Sequence, residues 1–285
     1  MKTHALHPTR YIATLVVAAG AAAIVGMRNA PKDKIALPTL TIVAKDFGYE
    51  VPAEVPSGPT RLMLTNSGQE LHHAQLVRLE DGKTLKDLAS LPEGGPPPSW
   101  MVPVGGPGAV EPGQSSAVVQ PLVPGTYAIF CFIPSPSDHK AHLAKGMVAG
   151  FTVVPAQRMA AMPKADVTVR MVDFGYAPSA PLVAGKRTIK VVNDGPQLHE
   201  LVLFRLAPGK TLADFAKWNP ETATEPPPGH FIGGTVAMAP GGESLVEATV
   251  EAGQYVLVCY IPDAKDGKPH FAHGMMMPLT VAPAR

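Results

Sequence analysis

The sequence predicts an all-β protein: two β-sandwiches in tandem behind an apolar N-terminal segment. Three observations lead there. The chain repeats itself almost end to end, each copy is a series of short apolar runs broken by turn residues, and long helices are excluded by composition. With 32 prolines and 27 glycines in 285 residues, about one residue in five interrupts a helix or favours a turn. The hydrophobic share of 46% is too high for a disordered polymer. The balance of 24 basic and 23 acidic residues leaves a formal charge of +1, with no basic cluster of the kind that nucleic acid requires.

Residues 1–35 read as a targeting segment and linker. Lys2 and Arg10 precede a run without charge from Tyr11 to Met27, a charged region followed by an apolar one. Its length lies between a signal-peptide core and a membrane span. The expectation is export, with the segment either removed as a signal peptide or kept as a membrane anchor.

The repeat then sets the domains at 36–156 and 166–285, joined by a linker at 157–165. Asp46-Phe47-Gly48-Tyr49 returns as Asp173-Phe174-Gly175-Tyr176, and LHHAQLVRLEDGKTL from Leu71 returns as LHELVLFRLAPGKTL from Leu198. The offset drifts only from 127 to 130. In the first copy TLTIVAKDF, TRLMLTN, HAQLVRL, GTYAIFC and AGFTVV read as strands, matched in the second by TVRMVDF, RTIKVVN, ELVLFRL, GQYVLVC and MPLTVAP. These runs are rich in β-branched residues and bounded by Gly, Pro or Asn. GKTLKDLASL and GKTLADFAKW read as short helices, each with Thr as a cap. Seven or eight strands in about 120 residues predict an antiparallel sandwich per copy.

Several motifs lead nowhere. The Gly-Lys-Thr triplets lack the glycine of a phosphate-binding loop, with Val77 and Phe204 in its place. The Asp-Phe-Gly triplets lie in strand-like surroundings without other kinase signatures, and carry no phosphoryl-transfer meaning. No G-x-S-x-G elbow and no recurring carboxylate pair is present.

One constellation repeats in full. CFIPSPSDHKAHLAKGM matches CYIPDAKDGKPHFAHGM: Cys, ten residues, His, then four residues and Met. With the upstream histidines this gives His72, Cys131, His142 and Met147 in one copy, and His199, Cys259, His270 and Met275 in the other. A thiolate, two imidazoles and a weak thioether form the donor set of a blue-copper centre. Thiolate and thioether favour Cu(I), and imidazole suits both oxidation states. His73, His139, His230 and His273 have no counterpart in the other copy and read as surface polarity, while Met276 and Met277 read as strand residues. Two cysteines in an exported protein also allow a disulfide, and a lone Met is a common core filler. The repeat of all four residue types at fixed spacing favours metal.

At these residues the sequence resembles the cupredoxins, which include plastocyanin, azurin and the copper domains of nitrite reductases and multicopper oxidases. The resemblance covers nearly all of both copies. It implies Greek-key sandwiches with one copper per domain, bound by the two four-residue sets above. The Cys-to-His loop is longer than in compact single-domain members. In the enzymes of the family a His beside the Cys conducts electrons to a second copper centre; here Phe130 and Phe132, or Val258 and Tyr260, stand beside the Cys. The expectation is therefore an electron-transfer protein, not an enzyme, exchanging single electrons with a redox partner protein. Copper delivery without rapid turnover, an oxidoreductase of the nitrite reductase or multicopper oxidase type, and a sandwich that has lost its metal are the alternatives.

Overall fold

The computed structural model describes Met1 and residues 35–91, 97–218 and 225–284. The expected targeting segment lies outside the described residues, apart from Met1 and Ile35. Among the described residues no helix is long and apolar enough to cross a membrane. In the first copy the elements are β1 (Thr39–Lys45), β2 (Gly48–Glu50), β3 (Glu54–Pro56), β4 (Gly58–Asn66), β5 (Gln75–Leu79), α1 (Leu85–Ala89), β6 (Met101–Gly105), β7 (Ser115–Leu122), β8 (Gly125–Phe130) and β9 (Val148–Val154). The second copy follows with β10 (Val167–Val172), β11 (Gly175–Pro178), β12 (Gly185–Asn193), β13 (His199–Leu206), α2 (Leu212–Lys217), β14 (Gly229–Met238), β15 (Glu243–Val250), β16 (Gly253–Val258) and β17 (Met276–Val281).

Period-two burial makes these runs strands. Along β4 every second residue is buried, from Gly58 through Thr60, Leu62 and Leu64 to Asn66, the pattern of a strand with one face on the core. Leu40 and Ile42 of β1, Leu76 of β5, and Tyr127 and Ile129 of β8 share the core with Leu62 and Leu64. The helices start as the sequence suggests: Thr84 and Thr211 each form a capping box with the Asp three residues on. The short helix α2 buries Phe215 against Phe204 and Val256 on the outer face of its sheet.

Each copy is a two-layer β-sandwich. In the first copy β2-β1-β4-β7 form one layer and β6-β5-β8-β9-β3 the other. The chain crosses between layers from β4 to β5, from β6 to β7 and from β7 to β8, and neighbours such as β1 and β4 pair parallel although they are not consecutive. This is the Greek-key wiring that the resemblance implies, with mixed rather than purely antiparallel sheets. The second copy repeats it, with β10 parallel to β12.

The copies also share both layers. β7 pairs antiparallel with β15 (Ala117↔Glu247, Val118↔Val246, Val119↔Leu245), and β6 meets β14 at Val104↔Met238. One sheet thus runs through eight strands and the other through nine. Arg61 on β4 donates two hydrogen bonds across this junction to Glu247, at 2.7 and 2.9 Å. The pair is partly exposed and adds at most about 1 kcal/mol. Glycine matters more: Gly108 N–H donates to Gly234 O at 3.0 Å, and a Cβ on Gly108 would stand 2.8 Å from the Gly233 carbonyl carbon. Gly234 has φ +118, and a Cβ there would stand 2.0 Å from Leu201 O. Gly234→Ala is therefore expected to lower unfolding free energy by about 2–4 kcal/mol, read by denaturant titration; a loss below about 0.5 kcal/mol would contradict this packing.

Candidate metal centres

The structure brings the predicted histidines and cysteines together at the same end of each sandwich. Cys131 follows β8, His72 precedes β5, and His142 opens a 3-10 turn ahead of β9. Their donor atoms and those of His199, Cys259 and His270 form two groups, each within 4.8 Å, and all six residues are fully buried. In the first, His72 Nδ1 and His142 Nδ1 are 3.1 Å apart, and Cys131 Sγ lies 3.4 Å from His142 Nδ1 and 4.0 Å from His72 Nδ1. In the second, the imidazole Nδ1 atoms of His199 and His270 are again 3.1 Å apart, and Cys259 Sγ is 3.4 Å from His270 Nδ1. Met147 and Met275 are fully buried in the same core as the cysteines. Each donates its N–H at 3.0 Å to the carbonyl of its preceding histidine. Both thiols are free, so the disulfide alternative falls.

Local sequence explains how each donor arrives. Asn66, buried at the end of β4, donates Nδ2–H to Glu70 O and Val110 O at 2.7 and 2.9 Å and accepts from Gly68 N–H; Asn193 repeats this with Gln197 O and Met238 O. These clamps fold the turn that delivers His72 and His199. After each cysteine the loop doubles back. His142 N–H donates to Ile133 O, and Leu143 N–H to Cys131 O at 2.7 Å; His270 and Phe271 do the same with Ile261 and Cys259. Gly146 and Gly274, at φ +93 and +103, close the 3-10 turns just ahead of the methionines.

Residues that the sequence reading set aside frame the histidines. His72 Nε2 bonds Asp46 Oδ1 at 2.7 Å, and His199 Nε2 bonds Asp173 Oδ1 at 2.6 Å. Phe47 and Phe174 pack their rings 5.1 and 5.0 Å from His142 and His270. The repeated Asp-Phe-Gly-Tyr was the signal, and its meaning is structural support for the imidazoles. A Cβ on Gly68 would stand 2.2 Å from Asp46 Oδ1 and 2.8 Å from His72 Nε2, so only glycine leaves room for that contact. His142 Nε2 bonds Glu70 Oε2 at 2.8 Å.

The unmatched histidines divide. His73 is not surface polarity: it is partly buried and accepts the Phe132 N–H at 3.0 Å, and burial pushes its pKa down to about 3. Glu200 at the matching position accepts the Tyr260 N–H, and burial raises its carboxyl to about 7. His139 takes a left-handed turn at φ +56, where the second copy has Gly267. His230 is exposed and meets Glu111. His273 pairs with Asp266 on the surface.

The electrostatics suit a cation. Burial lowers the pKa of His142, His199 and His270 against the opposing pull of nearby carboxylates, which favours the neutral imidazole that can offer a lone pair. Burial pushes the Cys131 thiol up to about 11 and the Cys259 thiol higher. Only a strong positive charge would make thiolates of them there, and a coordinating thiol is deprotonated by its metal.

No family model and no curated protein matches the chain. Among solved structures it is similar to reduced auracyanin from Roseiflexus castenholzii, at 22% identity over 42% of this chain and 100% of that one, with a TM-score of 0.27. A blue copper oxidase from Nitrosomonas europaea is 12% identical over 87% of this chain and 86% of that one, TM-score 0.26. A Cu-containing nitrite reductase from Thermus scotoductus SA-01 is 14% identical over 85% of this chain and 61% of that one, TM-score 0.23.

The donors fit copper, one ion in each copy. Donors bonded at about 2.0–2.3 Å to a single ion stand roughly 3–4 Å from each other, as the nitrogens and sulfurs do here. Two imidazoles and a thiolate form the three strong donors of a type 1 centre. Like-facing Nδ1 atoms 3.1 Å apart in a dry pocket also need a shared partner, and a metal ion satisfies both. Replacing Asp46 with Ala is expected to weaken metal binding at the first centre by 10–100-fold, measured by competition with a chromogenic chelator; unchanged affinity would contradict the supporting role of Asp46.

Proposed function

We propose that this is an exported copper protein that takes up and passes on single electrons through two type 1-like centres, exchanging them with a redox partner protein. The observation that carries the reading is the pair of buried His-Cys-His groups, each with a buried Met five residues after its second histidine. Bound copper supplies a one-electron couple between Cu(II) and Cu(I).

The chain's own residues do the rest. His72, His142 and Cys131, with their counterparts, hold donors that serve both oxidation states. Asp46 and Asp173 hold the imidazoles of His72 and His199 with Nδ1 toward the thiol and Nε2 toward the carboxylate, which fixes the tautomer. Full burial keeps water out, so little has to reorganise when the charge changes. Phe132 follows Cys131 directly and is 49% exposed, offering a partner an apolar contact one residue from the thiolate. The aromatic or aliphatic neighbours of both cysteines favour a carrier over an oxidase or nitrite reductase. Export follows from the charged and apolar N-terminal run, which serves as a signal peptide or an anchor.

Copper-loaded protein should hold two coppers per chain and show an intense thiolate-to-copper visible band. Cys131→Ser and Cys259→Ser, made singly, should each remove one copper and about half of that band. Folded wild-type protein that takes up copper without the band would overturn the type 1 assignment. Mixing the reduced protein with ferricyanide separates a carrier from a delivery protein: a carrier is oxidised within the mixing time or seconds and is reducible again, whereas oxidation over many minutes would favour delivery.

A further inference from the structure

The two centres hold their donors alike and differ in the groups around them: His73 against Glu200 at the N–H after the cysteine, and Glu70 against Gln197 at an imidazole. In the first, His142 Nε2 is bonded to Glu70 Oε2 at 2.8 Å, and Ser135 Oγ–H donates to Glu70 Oε1 at 2.9 Å. The second copy has Gln197 where the first has Glu70, and Asp263 where the first has Ser135. Gln197 turns away from the imidazole: its Nε2–H groups donate to Asp173 and Asp263 at 2.9 and 3.0 Å, and its Oε1 accepts from Ala264 N–H. His270 Nε2 is left buried with no partner. Asp263, the carboxylate that this part of the second copy does carry, makes no bond to the ring. Asp263 is taken up by Gln197 and by the N–H groups of Lys265 and Asp266. Glu200, beside His199, accepts from Tyr260 N–H at 2.9 Å. The remaining imidazoles match, His72 on Asp46 and His199 on Asp173.

Resting on the copper reading above, we infer that Glu70 makes the two centres unequal: the first has the lower reduction potential, and an electron held by the chain resides on the second. A carboxylate bonded to Nε2–H makes the imidazole a stronger donor and places negative charge one ring from the ion. Both effects favour the doubly charged ion over the singly charged one. An imidazole whose buried N–H has no acceptor is the weaker donor. Transfer within the chain is then balanced simply: one electron leaves the first centre and one arrives at the second, with no bond or proton changing hands. Glu70 is a positioning residue, acting through His142.

The test is a spectroelectrochemical titration of copper-loaded, full-length Cys259→Ser, which keeps the first centre, and Cys131→Ser, which keeps the second. Copper content is measured by elemental analysis on the same samples. The first centre should be harder to reduce by at least tenfold in equilibrium constant, about 59 mV for one electron. Glu70→Gln should raise the potential of the first centre, and Gln197→Glu should lower that of the second. Should the single-site proteins fold poorly, Glu70→Gln in the otherwise intact chain should shift only the lower of two redox waves. Equal potentials in loaded centres, or no shift on Glu70→Gln, would overturn the inference and leave the copper reading standing. A chain that binds no copper would overturn the reading itself.

Discussion

A histidine has two ring nitrogens, and each half of this molecule depends on which one faces the cysteine. Nδ1 of both imidazoles is turned inward, to within 3.1 Å of its counterpart, and groups packed on or bonded to the rings keep them there. The sandwich provides the grip from several directions at once. An aspartate from the β1–β2 or β10–β11 turn takes one Nε2, a phenylalanine beside it packs on the second ring, and a glycine leaves room between them. None of these groups is in the donor set, yet each orients an imidazole that is.

The duplication gives this frame a second use. The copies join edge to edge, so each sheet runs through both, and the close passage of Gly108 over Gly233 and Gly234 holds the junction tight. Two centres carried on continuous sheets keep a fixed relation to one another. The two copies keep the same donors in different surroundings. Glu70 against Gln197 is the clearest case, and His73 against Glu200 the next.

Much of this was legible in the sequence because duplication supplied its own comparison. The strands with clean period-two patterns, such as β1, β4 and β12, announce themselves, and so do the cysteine loops. Strands that the reading did not single out have physical reasons for being obscure. β6 and β7 contain Pro103 and Pro121, β14 carries Gly233-Gly234, and β2, β3 and β11 are three or four residues long. Sharing of the sheets has no local signature, since the edge of β7 looks the same whether it meets solvent or β15. The supporting carboxylates were hidden for another reason. Asp46 lies 26 residues before His72 and meets it only because β1 and β4 pair in parallel, so the repeat marked it as important without saying for what.

X-ray absorption at the copper edge of the fully loaded protein would show directly what surrounds the ion in each half of the chain. A short sulfur scatterer and two imidazole nitrogens are expected around every copper, with one ion for each of Cys131 and Cys259. Copper surrounded by nitrogen and oxygen alone would contradict this donor set.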